Sequence, residues 1–209
     1  MKKELFAIVI LLALSVVQKN VDIEDRNYAL IFGIDVKKSG QWNGTYSFAD
    51  LSKVAATKGK GAESKSLSIA GEDMKSIQKQ YDTFHDKIFE YGHLKVLILG
   101  KDMIEDNVQY EKLIEELKKE KDYSRNMLVF CAEDSAAAIV RLDEKTNGLL
   151  ADSLKRLEER QIPSKTVTLK TVLKGYMEGD RVVVPMLRVY RNNAQFIGYE
   201  TLPIKENKK

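Results

Sequence analysis

Residues 91–100 read Tyr91-Gly-His-Leu-Lys-Val-Leu-Ile-Leu-Gly100. Leu94 to Leu99 is apolar except for Lys95 and is closed on both sides by glycine. A run this short, between turn residues and without helical spacing, is a buried strand. The segment before it has the other period. Met74, Ile77, Tyr81, Phe84 and Ile88 recur at steps of three and four. That spacing predicts a helix from Met74 to Ile88 with those five side chains inward and Lys75, Gln78, Lys79, Gln80, Asp82 and Lys87 outward. Gly92 is expected to end this helix in the left-handed cap conformation. His93 then leads into the strand as a turn residue, its ring nitrogen tying the helix end to the sheet. A pH sensor or partner contact is the functional alternative for it. His85 falls beside the stripe, at the surface or its boundary.

Working outward, Tyr28 to Val36 is apolar or aromatic except at Gly33 and Asp35, which fits a strand covered on both faces. Lys37 to Gly40 reads as a turn and Thr45 to Asp50 as a strand returning in a hairpin. Ser52 to Lys65 is rich in Lys, Gly, Ala, Ser and Thr and reads as a mobile loop. Its Lys58-Gly-Lys-Gly61 lacks the spacing of a phosphate-binding loop. On the other side, Lys101 to Asn107 and Glu111 to Lys121 read as helices, and Met127 to Cys131 as a second buried strand. Asp134-Ser135 is placed to cap a helix beginning at Ala136. Leu149, Leu150, Leu154 and Leu157 mark a further helix that Pro163 stops. Thr166 to Tyr176 fits either strand or helix. Arg181 to Tyr190 and Gln195 to Leu202 are β-like and flank the turn signal Asn192-Asn193. Strands alternating with helices predict an α/β fold: a mixed β-sheet with helices packed on it, plus a C-terminal β-hairpin. The chain divides into a signal or anchor segment (1–21), an α/β domain (22–165) and a β-rich C-terminal extension of that domain (166–209).

Composition narrows the function classes. The 209 residues carry 34 basic and 31 acidic side chains, a net charge of +3, without a basic block of the kind that reads nucleic acid. Lys2 and Lys3 precede an apolar run from Leu5 to Val17, the pattern of an export signal. The run is shorter than the roughly 20 residues that comfortably span a bilayer. Cleavage after Ser15 and retention as an anchor are both compatible with it, and the short apolar region favours retention. Cys131 lies in an apolar strand and reads as a small core residue, not a nucleophile. Gly-x-Ser-x-Gly, Gly-x-Gly-x-x-Gly and His-Glu-x-x-His are all missing from the sequence, and the only histidines are His85 and His93. The expectation is a chain with no catalytic, cofactor-binding or metal-ligating set.

Asp22-Ile-Glu-Asp-Arg-Asn-Tyr-Ala-Leu-Ile-Phe-Gly-Ile-Asp35, the phrase 91–100, and the hairpin Met186 to Tyr199 occur in an order that resembles the N-terminal domain of the Ger(x)C family. These are the C subunits of nutrient germinant receptors of endospore-forming bacteria. The resemblance runs from about Asp22 to about Leu202, and its motif residues here are Asp25, Gly33, Asp35, Gly92 and His93. Valine stands where family members carry a lipidated cysteine, and the chain ends where full-length relatives continue into further domains. The resemblance implies a non-enzymatic receptor subunit on the outer face of the spore inner membrane. Its partners would be a transporter-like membrane subunit and a second integral membrane subunit, with no nucleic acid and no cofactor. The rival reading is an exported small-molecule-binding protein or envelope enzyme, with a cleft between helices and sheet.

Overall fold

The computed structural model describes residues 26–49, 64–146, 148–161 and 166–205. Asp25 and the apolar run Leu5 to Val17 lie outside them. The strands are β1 (Arg26–Val36), β2 (Trp42–Ala49), β3 (Ser64–Gly71), β4 (Ile88–Glu90), β5 (Val96–Leu99), β6 (Leu128–Ala132), β7 (Val183–Tyr190) and β8 (Asn193–Thr201). The helices are α1 (Met74–Phe84), α2 (Lys101–Glu105), α3 (Asn107–Lys119), α4 (Ala136–Val140), α5 (Leu142–Lys145), α6 (Leu150–Gln161) and α7 (Leu169–Glu178). All the strands join one mixed sheet in the order β3-β2-β1-β5-β6-β7-β8, with β4 pairing to the start of β1. Its centre, β1, β5, β6 and β7, is parallel; β2 and β3 on one side and β8 on the other are antiparallel additions.

Alternation along the central strands builds two cores. Phe32, Ile34, Leu97, Leu99, Val129 and Cys131 face one layer, where α1, α3 and α7 contribute Ile77, Tyr81, Leu113, Leu117, Leu169 and Val172. Ile31, Val96, Ile98 and Phe130 face the other, covered by α4 and α6 through Ala136, Ile139, Val140 and Leu154. Both faces of β5 are buried, which is why its sequence is continuously apolar. The larger core is rich in rings: Tyr46 stacks on Phe32 at 4.4 Å and meets Phe89 edge-on at 4.6 Å.

Several expectations change. Helix α1 stops at Phe84, so Ile77 and Tyr81 are its buried residues, while Phe84 is 78% exposed and Ile88, now on β4, 48% exposed. The chain leaves the helix because β4 pairs with Arg26 to Tyr28, and extended backbone presents Phe89 and Tyr91 to the core in their place. Gly92 therefore does not end a helix. It follows β4 in a turn closed by the Leu94 N–H donating to the Tyr91 carbonyl at 3.1 Å. Ser64 and Lys65 belong to β3, not to a loop; the rest of the expected loop, Ser52 to residue 63, lies outside the described residues. The ambiguous stretch 166–176 is helical from Leu169 on, as α7, capped by the Thr168 side chain, while Thr168 itself bridges to Leu128 of β6. The final hairpin turns at Arg191 and Asn192, with φ of 47° and 62°, and Asn193 opens β8. Two consecutive left-handed residues are what a tight two-residue hairpin requires. Among the described residues, no helix is long and apolar enough to cross a membrane.

Candidate functional site

Gly33 and Asp35 stand two residues apart on β1 and so face the same layer, the one that holds α4. A Cβ on Gly33 would lie 2.7 Å from Val140 Cγ2 and 3.1 Å from Ala136 Cβ, so α4 rests on bare strand backbone. Beyond it, Asp35 reaches the start of that helix. Its Oδ1 accepts the Ala136 N–H at 2.7 Å, and its Oδ2 accepts the Ala137 N–H at 2.9 Å and the Ser135 hydroxyl at 3.0 Å. The cap expected from Asp134-Ser135 is thus supplied by β1. Ser135 holds the N-cap position, but its side chain makes no capping bond. Gly100 completes the arrangement: a Cβ there would stand 2.1 Å from Asp35 Oδ1. The first glycine seats the helix and the second leaves room for the carboxylate that caps it.

Gly92 and His93 sit at the opposite end of the sheet. Both are exposed. The His93 ring meets Tyr28 of β1 edge-on at 5.1 Å, so the tie to the sheet is ring against ring. The Gly92 N–H donates to Glu90 Oε1 at 3.3 Å, and Glu90 also accepts from Arg26 at 2.8 Å. Tyr28 and Asp35 are separated by about 23 Å of strand at the usual rise per residue. The family residues therefore form two separate clusters, one at each end of β1, with Asp25 outside the described residues.

This placement limits the chemistry available at the Asp35 end. Asp35 and Ser135 make a hydrogen-bonded acid–hydroxyl pair, but His93 lies at the far end of β1, and His85 stacks on Tyr81 of α1 at 4.6 Å. Every acceptor direction of Asp35 that the chain uses is turned towards the start of α4. The open cleft beside it, about 630 Å³, is bordered by Lys37, Asp102 and Asp106. Asp106 is itself engaged in capping α3 through the Val108 and Gln109 N–H groups. Among the described residues, no three His, Cys, Asp or Glu side chains converge as metal ligands would. Cys131 is buried with its thiol 3.6 Å from the Pro185 carbonyl, and desolvation pushes its pKa up to about 12. A thiol in that state is packing material.

A second polar cluster lies on the α4 side of the sheet and was not anticipated. Asp143 of α5 is fully buried; Ser47 donates to it, Ser64 donates at 2.6 Å and the Leu150 N–H at 2.9 Å. Glu144 accepts from the Ser66 N–H at 2.7 Å, and Arg141 donates to Ser68 at 3.0 Å. The alternating serines of β3 are thus clipped to a short helix by charge-assisted hydrogen bonds. The signal was present in Ser64-x-Ser66-x-Ser68, which has the period of a strand but a polar face.

The sequence profile of the family described as "Spore germination protein N-terminal domain" matches residues 19–189. No curated protein matches the chain. Among solved structures, the crystal structure of the GerBC protein aligns with a TM-score of 0.38 and 17% identity. That alignment covers 81% of this chain and 47% of the GerBC chain, so this chain spans about half the length of that protein. The matched region takes in the strand with Gly33 and Asp35, the Gly92-His93 turn and both cores, and the chain belongs to the Ger(x)C family of spore germination proteins through its N-terminal domain.

Proposed function

We propose that this chain acts as a non-enzymatic subunit of a nutrient germinant receptor, held on the outer face of the spore inner membrane. It would work beside a transporter-like membrane subunit and a second integral membrane subunit. The family match across residues 19–189 carries the reading. The use made of the family residues on β1 supports it: Asp35 is spent on capping α4 and Gly33 on seating it, which are structural duties. Membrane attachment is assigned to the apolar run Leu5 to Val17 behind Lys2 and Lys3. On this reading the folded domain is a rigid body presented at the membrane surface, and signal passes through its contacts with the membrane subunits.

Purification of the tagged chain from spore membranes in mild detergent tests this. The expected result is retention in the membrane fraction without a lipid modification, and co-purification with two polytopic subunits in fixed ratio. Recovery as a free soluble protein, or in membranes without those subunits, contradicts it.

A further inference from the structure

Phe84 closes α1 and Ile88 opens β4, and both side chains stand in solvent at the leading end of β1. Phe84 is the most exposed large apolar side chain among the described residues. The backbone that presents the pair is held on both sides. The Tyr81 hydroxyl, one turn before Phe84, accepts from Asn27 Nδ2 at 2.5 Å, and the Tyr81 ring meets Phe89 edge-on at 4.6 Å. Ile88 pairs with Arg26, and the Arg26 guanidinium donates to Glu90 across the same two strands. The His85 ring stacks back on Tyr81, so Phe84 is the ring that this corner turns outward. Two large apolar groups on one fixed corner call for an apolar cover.

The corner also lies where the chain comes from. Strand β5 pairs with β1 only from Ile31 on, so Arg26 to Tyr28 and β4 extend about 17 Å beyond the parallel centre of the sheet at the usual rise per residue. Eight residues, 18–25, separate Arg26 from the apolar run that ends at Val17. Fully extended, they reach about 30 Å. Strand β1 is itself about 33 Å long from Arg26 to Val36. With the apolar run in the bilayer, the end of the sheet held nearest to the lipid is the one that bears Phe84 and Ile88.

We propose that the α1–β4 corner seats on the bilayer surface, with Phe84 and Ile88 entering the boundary between headgroups and acyl chains. The inference rests on the membrane attachment proposed above and adds the face of the domain that meets the lipid. Asp82 and Asp86 are exposed beside Lys87, and Arg26 is already paired with Glu90, so the corner has no surplus of positive charge. The contact is therefore apolar and needs no anionic lipid. Strand β1 then runs away from the membrane, and the Asp35 end of the sheet points outward.

The test reconstitutes the full chain into phosphatidylcholine vesicles, with and without lipid that carries a nitroxide near the top of its acyl chains. Flotation with the vesicles reads attachment, and tryptophan emission reads the corner. Trp42, the only native tryptophan, is buried opposite Val36 at the far end of β1 and gives a constant background. The added emission of Phe84→Trp should move to the blue on reconstitution and fall about twofold or more with the nitroxide lipid. Val108→Trp, at a site 72% exposed beside the turn that follows Val36, should do neither. Ile88→Trp reads the same contact and decides the matter if Phe84→Trp misfolds. A chain that floats without quenching at the corner, or with equal quenching at Val108→Trp, overturns the corner contact and leaves the anchor standing. A chain that does not float removes the attachment, and this proposal with it.

Discussion

Asp35 joins parts of the chain a hundred residues apart, and its surroundings say what each substitution should do. Alanine there leaves the Ala136 and Ala137 N–H groups and the Ser135 hydroxyl without their acceptor. Loss of a cap costs about 0.5–2 kcal/mol, and stranded donors add to it, so Asp35→Ala should destabilise by roughly 1–3 kcal/mol. Gly100→Ala should destabilise the wild type, because the new Cβ meets Asp35 Oδ1, and cost less in the Asp35→Ala background, where that atom is gone. Urea unfolding of the two single variants and the double variant measures this coupling; additive effects would show that the two residues do not interact. Asp73 offers a test by pH. The N–H of Ser76, donating at 2.7 Å, holds its carboxyl below the usual range, helped by the Ser76 hydroxyl, Lys112 and Lys75 and opposed by partial burial. A folded-state value below the unfolded one means the stabilisation is complete above the unfolded value, near 4, and is lost as pH falls through the folded one. Asp73→Ala should therefore cost about 1 kcal/mol at pH 7, and the gap from wild type should narrow as the pH falls below the unfolded value and through the lower folded one. An equal gap at both ends would show that the charge plays no part.

The elements that sequence reveals are those whose neighbours are uniform. Strands β5 and β6 meet apolar layers on both faces and are continuously apolar for that reason, as is β1 from Tyr28 to Val36 apart from Gly33 and Asp35. Strand β3 was hidden because its α5-facing side is serine, and its hydrogen-bond partners Arg141, Asp143 and Glu144 lie more than 70 residues away. Helix α1 shows the other kind of failure. Phe84 and Ile88 continue its apolar period, yet pairing of Ile88 with Arg26 pulls the chain into a strand, a long-range contact that local spacing does not contain. The consequence is measurable. Ile77→Ala, at a fully buried site, should cost about 2–5 kcal/mol. Phe84→Ala should stay within about 0.5 kcal/mol of wild type. Comparable shifts of the denaturation midpoint for both would return Phe84 to the core and refute the early end of α1. Of the two family clusters, Gly33 and Asp35 were legible as interruptions of an apolar strand. Their joint purpose was not, because it depends on α4 crossing above them.

At the scale of the whole molecule, one sheet carries every described strand, and the family match takes in both of its cores. That breadth is what makes a role in spore germination the central claim, with Asp35, Gly33 and the buried Cys131 serving the fold. If the chain serves a germinant receptor as proposed, it acts upstream of cortex breakdown, and its loss should spare growth and sporulation. The most direct measurement is germination of spores lacking this protein, in a strain without paralogous receptors, with nutrients and then with calcium dipicolinate, which bypasses nutrient receptors. Failure with nutrients and normal germination with calcium dipicolinate is the predicted result; normal germination with nutrients in that strain would contradict the assignment.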